Sequence, residues 1–126
     1  MLIQFRKGEY FWKCDEQEKD FMGSFYLKDM SRNMFSKGPV AEIWSFGIYG
    51  RYRCQGYGQK MLREAIELAG DKALMLYVHK DNEIAIHVYK KAGFQVVGKL
   101  GTLAWAMAYS GNEAGQEIIK YAVYCV

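Results

Sequence analysis

The chain has 126 residues, a length that suits one compact domain over residues 1–126 and is short for two. Half of it is hydrophobic, enough for a sizeable core, and its net charge of +3 is too mild for a nucleic-acid reader, which usually carries a concentrated basic stripe. No apolar run reaches spanning length and no signal peptide opens the sequence, so neither a membrane nor export is expected.

Residues 1–6 and about 9–14 read as strands, with Tyr10-Phe11-Trp12 the clearest stretch. Residues 15–20 form a charged, solvated hairpin loop. Phe21 to Leu27 is the next strand. Lys28 to Pro39 is polar and carries Met30 and Met34; it reads as a mobile surface connection, or alternatively as one wall of a ligand site. Ala41 to Ile48 is the central strand, with Glu42 inside it and Gly47 marking a bulge. Gln59 to Ala69 has an apolar face at helical period, and Gly70 is placed to stop it. Ala73 to Val78 is almost wholly apolar, as expected for a strand covered on both faces. Strand, helix, strand in that order predicts a right-handed parallel crossover.

Asp81 or Asn82 caps the next helix, whose face is Ile84, Ala85, Val88, Tyr89 and Ala92, and which Gly93 ends. Phe94 to Gly98 is a strand. Gly101 to Gly115 is ambiguous, with residues 103–109 readable as helix or strand. Glu117 to Val126 is rich in Ile, Tyr and Val and is expected to be the last, antiparallel strand. Cys14, Cys54 and Cys125 are an odd set without metal-type spacing, which suits free thiols in a reducing cytoplasm.

The chemistry-bearing stretch is Arg53-Cys54-Gln55-Gly56-Tyr57-Gly58, between the central strand and the first helix. A helix start carries unpaired backbone N–H groups and the positive end of the dipole, which together favour an anion. Gly56 and Gly58 let a ligand approach the backbone, and Arg53 adds a cation at the mouth. A phosphate or pyrophosphate ligand follows; a plain tight connection is the alternative. The dinucleotide fingerprint fails, because Met61 stands where its third glycine belongs. The P-loop fails too, because Gly58-Gln59-Lys60 replaces Gly-Lys-Ser/Thr.

Arg53-x-x-Gly56-x-Gly58 resembles the acetyl-CoA-binding signature Gln/Arg-x-x-Gly-x-Gly/Ala of the GCN5-related N-acetyltransferase (GNAT) family. The approach, Ile48-Tyr49-Gly50-Arg51-Tyr52-Arg53, is similar to the family's Val-x-Pro-x-Tyr-Arg, with Gly50 in place of proline. Residues 82–94, with Asn82, Ala85, Tyr89, Gly93 and Phe94, resemble its second block, Asn-x-x-Ala-x-x-x-Tyr-x-x-x-Gly-Phe. The resemblance covers roughly residues 21–98. It implies an α/β (α+β) fold: a mixed, mostly antiparallel twisted sheet of six to seven strands with a parallel central pair and flanking helices. Members usually carry two helices between the first two strands. The interval from Phe5 to Tyr10 cannot hold them, so these helices are reduced or absent. That departure touches the acceptor site, and apolar surface left uncovered would favour a homodimer.

The resemblance further implies acetyl-CoA as acyl donor. Arg53, Cys54, Gln55, Gly56, Tyr57, Gly58 and Gln59 would take its pyrophosphate, and Phe46, Gly47 and Ile48 would pair with its pantetheine arm like an added strand. Asn82 would bond that arm or simply cap its helix. Acetyl transfer to an amine needs no metal, and the sequence offers no metal cluster. Tyr89 matches the tyrosine that protonates the leaving thiolate, against the alternative of a hydrogen-bonded buried tyrosine. Glu42 is the candidate base, directly or through water, against the alternative of an exposed strand glutamate; His79 and His87 are other bases. Cys54 reads as a loop thiol. The implied function is direct acetyl transfer to a primary amine of a small molecule or protein. The competing readings are a non-catalytic acyl-CoA-binding module or sensor of the same fold and, third, a nucleotide-binding α/β domain.

Overall fold

In the computed structural model, which describes residues 1–122, seven strands form one sheet. β1 (Leu2–Arg6), β2 (Glu9–Trp12), β3 (Gly23–Met30) and β4 (Val40–Ile48) are successive antiparallel neighbours. β5 (Ala73–His79) runs parallel to β4. β7 (Ala104–Tyr109) lies between β5 and β6 (Phe94–Leu100) and is antiparallel to both. The mixed sheet with one parallel central pair is the architecture expected. Only Lys7 and Gly8 separate β1 from β2, so this interval holds no helix.

α1 (Tyr57–Ala69) makes the crossover from β4 to β5, and α2 (Glu83–Ala92) leads from β5 to β6. α1 buries Met61, Leu62, Ala65 and Ala69, one stripe at helical period, against Ala41, Ile43, Leu74 and Leu76 of the sheet. Each large apolar side chain buried in this way contributes about 1.5–3 kcal/mol. α2 starts at Asn82, whose side chain accepts from the Ala85 N–H at 3.2 Å. Its face differs from the expected one. Ile84 is 80% exposed, and Ile86 packs on the core with Ala85, Val88 and Tyr89.

The expected strand from residue 117 is instead a helix, α3 (Glu113–Lys120); residues 123–126 lie outside the described residues. The Asn112 side chain caps it by accepting from Gly115 N–H at 2.8 Å, and Ala114 and Ile118, four apart, meet the sheet. The apolar period of a helix outweighed the β-branched content. The last strand among the described residues is β7, inside the segment that sequence left ambiguous. α3 covers the face made by Val40, Ala73, Met75, Val97, Ala106 and Ala108, opposite α1 and α2.

β3 extends to Met30, and the connection to β4 is a built turn, not the expected loose loop. The Asn33 carboxamide oxygen accepts from Phe35 N–H and Ser36 N–H, both at 2.8 Å, and Asn33 N–H donates to the Ser36 carbonyl at 3.0 Å. No helix among the described residues is long and apolar enough to cross a membrane.

Candidate active site

β4 and β5 pair from Val40↔Ala73 to Ile43↔Leu76 and no further. Beyond that point β4 stays bonded to β3 and β5 to β7, so a gap opens between Trp44–Ile48 and Tyr77–His79. A bulge sits on the same stretch. Ser24 opposes Gly47 and Tyr26 opposes Trp44, which leaves Ser45 and Phe46 against Phe25 alone. The interruption foreseen at Gly47 falls two residues earlier, where Ser45 takes a φ of +54°. The extra residue reverses the alternation of the strand: Trp44 shares the face of Glu42, and Phe46 turns to the opposite face.

The Arg53–Gly58 loop lies beside the end of β4. Gly58 is within 3.9 Å of Ile48, measured from where its Cβ would stand, and the Arg53 Nε–H donates to the Ile48 carbonyl at 2.9 Å. Cys54 and Gly56 have φ of +63° and +82°. Gly56 is the N-cap of α1 and no side chain caps it, so the first amides of the helix keep their donors for a ligand. A Cβ on Gly56 would meet nothing within 4 Å, so the loop is open on its outer side. The side chains of the loop are otherwise engaged: Tyr57 packs on Trp12, with ring centroids 5.9 Å apart. Gln55 donates to the Arg51 carbonyl at 3.3 Å, and Gln59 donates to the Val88 carbonyl at 3.1 Å, tying α1 to α2. The donors this loop leaves for a ligand are therefore backbone N–H and the remaining guanidinium N–H groups of Arg53. Cys54 is exposed.

On the α2 side of the gap stands Tyr89. It is buried against Phe46 and Phe94, with ring centroids 5.8 Å and 6.1 Å away, and desolvation pushes its pKa up to about 12. Asn82 is the cap of α2.

On the other side stands Glu42, which is 3% exposed, so the exposed-strand alternative is wrong. Its Oε2 accepts from Asn33 Nδ2–H at 2.8 Å and from the Tyr77 hydroxyl at 2.7 Å. Its Oε1 accepts from the Trp44 indole N–H at 3.0 Å. A carboxylate has about four acceptor positions, so Oε1 retains room for one more donor. Burial first, then the hydrogen bond to Glu42 and its charge, push the Tyr77 phenol well above the usual tyrosine range. Asn33, Trp44 and Tyr77 were not singled out from sequence. Trp44 was the legible one, since two residues along a strand share a face; the turn and the β4–β5 register gave no local signal. The alternative bases are turned elsewhere: His79 Nδ1 accepts from Asp81 N–H at 3.2 Å, and His87 is exposed. No group of three or more metal-ligating side chains occurs among the described residues.

Comparisons with known proteins fit this arrangement. An uncharacterized N-acetyltransferase of Bacillus subtilis, YdgE, is 32% identical over 90 residues, covering 69% of this chain and 55% of its own. The N-alpha-acetyltransferase RimI of Mycobacterium tuberculosis is 35% identical over 57 residues, 45% of this chain and 36% of its own. The chain thus spans about half, or less, of the length of these curated relatives. Among solved structures, the PaiA N-acetyltransferase of Thermoplasma acidophilum in complex with coenzyme A superposes with a TM-score of 0.64 at 23% identity, covering 80% of this chain and 58% of that one. The family profile described as Acetyltransferase (GNAT) family matches residues 2–94, from the first strand through the gap, the glycine loop and α2. With three quarters of its length under that profile and the gap between its parallel strands, the chain belongs to the GNAT family.

Proposed function

We propose that residues 1–126 act as one acetyltransferase domain that binds acetyl-CoA and passes the acetyl group directly to a primary amine. The observation that carries this is the β4–β5 gap, which has uncapped helix amides at one end, Tyr89 on one side and Glu42 on the other. The pyrophosphate meets the N–H groups that begin α1 and the Arg53 guanidinium. The pantetheine arm lies in the gap along Phe46–Ile48, whose edge toward β5 has no strand partner. Coenzyme A in the Thermoplasma relative, which has the same fold, agrees with this choice of donor.

The amine nitrogen attacks the thioester carbonyl carbon and the C–S bond breaks. The thiolate takes the proton of the Tyr89 hydroxyl, which burial keeps protonated at neutral pH. The amine loses its proton toward Glu42. Burial of Glu42 and its three engaged donors favour a relay through one water bound at Oε1 over direct contact. Alignment of the two reactants supplies much of the rest. The exposed thiol of Cys54 suits a reducing cytoplasm.

Calorimetric titration with acetyl-CoA, repeated on Gly56→Glu, tests the donor site. Binding that the substitution abolishes supports it; no binding in the parent protein sinks it. Release of free thiol with a panel of amines then tests transfer. The two-residue β1–β2 turn, with no helices to shape an acceptor pocket, favours the second reading, an acyl-CoA-binding module. Binding without thiol release on any amine would select that reading.

A further inference from the structure

Trp44 and Tyr77 occupy the first positions at which β4 and β5 no longer pair with each other, directly after the Ile43↔Leu76 pair. Their rings stand 5.2 Å apart at 47°, and both polar edges point at one carboxylate. Phe35 continues the aromatic row at 6.3 Å from Tyr77. Trp44 is 40% exposed, an unusual position for an indole whose N–H is already committed to an internal partner.

We propose that Trp44 and Tyr77, with Glu42 behind them, are the specificity-determining face for an acceptor that carries an alkylammonium group. The inference rests on the transferase reading and names the acceptor class for that same gap. An aromatic face attracts a cation through its quadrupole, and tryptophan is the strongest of the aromatic residues at this. Donating an N–H or O–H to a buried carboxylate polarises each ring toward greater electron density, which strengthens that attraction. Glu42 also adds its own negative charge, held in place by Asn33 from behind. A neutral or anionic group gains none of this. The exposed Lys28 lies opposite Glu42 on β3, so the ammonium belongs on the β5 side of Trp44, at the gap, away from that like charge.

The test uses tetramethylammonium, which has no transferable N–H, and omits acetyl-CoA, so the result does not depend on turnover. The indole N–H signal of Trp44, assigned by its loss in Trp44→Leu, is followed in nitrogen-correlated NMR spectra against tert-butyl alcohol, a neutral molecule of similar shape. The expected result is a saturable shift with tetramethylammonium, at least about tenfold tighter than with the alcohol. Trp44→Phe keeps a ring and serves as the folded control; its binding, read from the backbone amide signals of residues 42–46, is expected to be retained but weaker. An unmoved indole, or equal binding of the alcohol, overturns the proposal. Failure of acetyl-CoA to bind in the calorimeter, with the ammonium shift intact, would sink the transferase reading and leave the cation site standing.

Discussion

Trp44 and Phe46 are two residues apart on one strand and yet lie on opposite faces of the sheet, because the Ser45 bulge stands between them. Trp44 bonds Glu42 on one side, and Phe46 meets Tyr89 on the other. One inserted residue therefore gives each reactant in the proposed transfer its own wall of the same gap.

Tyr89→Phe isolates the proton donor. The ring and its contacts with Phe46 and Phe94 remain, and only the hydroxyl is lost. The expected outcome is a fall in kcat of roughly 100-fold with acetyl-CoA affinity unchanged by calorimetry. An unchanged kcat would remove Tyr89 from the acid role.

The same tyrosine gives an alkaline signature. Its folded pKa of about 12 stands above the ordinary 10.0, so its stabilisation is complete below pH 10 and is lost as pH rises toward 12. The expected loss is roughly 2–3 kcal/mol across that window, read by urea unfolding at successive pH values. Tyr77 is shifted in the same direction and adds to the slope, so Tyr89→Phe should flatten it without abolishing it. Kinetically, Tyr89 should produce no alkaline fall in rate below about pH 12.

Glu42 separates chemistry from packing. Glu42→Leu deprives Asn33, Trp44 and Tyr77 of their common acceptor and should cost roughly 2–4 kcal/mol of stability. Glu42→Gln keeps a carbonyl acceptor and should cost about 1 kcal/mol, while lowering kcat at neutral pH. Denaturant unfolding and steady-state kinetics on both variants check this. Equal stability losses would mean that the network does not depend on the acceptor oxygen.

Gly23 sets the distance between β3 and the cofactor strand. A Cβ there would stand 2.8 Å from the Gly47 carbonyl and 2.8 Å from Ile48 Cδ1. Gly23→Ala should therefore cost about 1–3 kcal/mol and weaken acetyl-CoA binding, because the displaced residues are those proposed to pair with pantetheine. Undiminished binding would place the arm elsewhere.

Sequence carried the parts of the fold that local rules write. The crossover from β4 through α1 to β5, the Asn82 cap and the open helix start at Gly56 follow from period, caps and glycine placement. It misread what depends on distant partners. Residues 117–120 looked like a strand by composition, and a cap at Asn112 with a core-facing Ile118 made them helix. Glu42 looked equally suited to solvent. Its burial comes from Asn33 in a turn nine residues away and Tyr77 on a neighbouring strand, whose register no local pattern encodes.

The insertion of β7 between β5 and β6 has a bearing on how the chain is made. β6 emerges from the ribosome first but touches the sheet only through β7, which follows it. Until residue 109 is free, β5 ends the sheet as an unprotected edge, and the hairpin of β6 and β7 must dock as a unit. A released chain ending near residue 100 would thus leave the proposed donor loop built on an unfinished sheet, an exposed template for pairing with another copy.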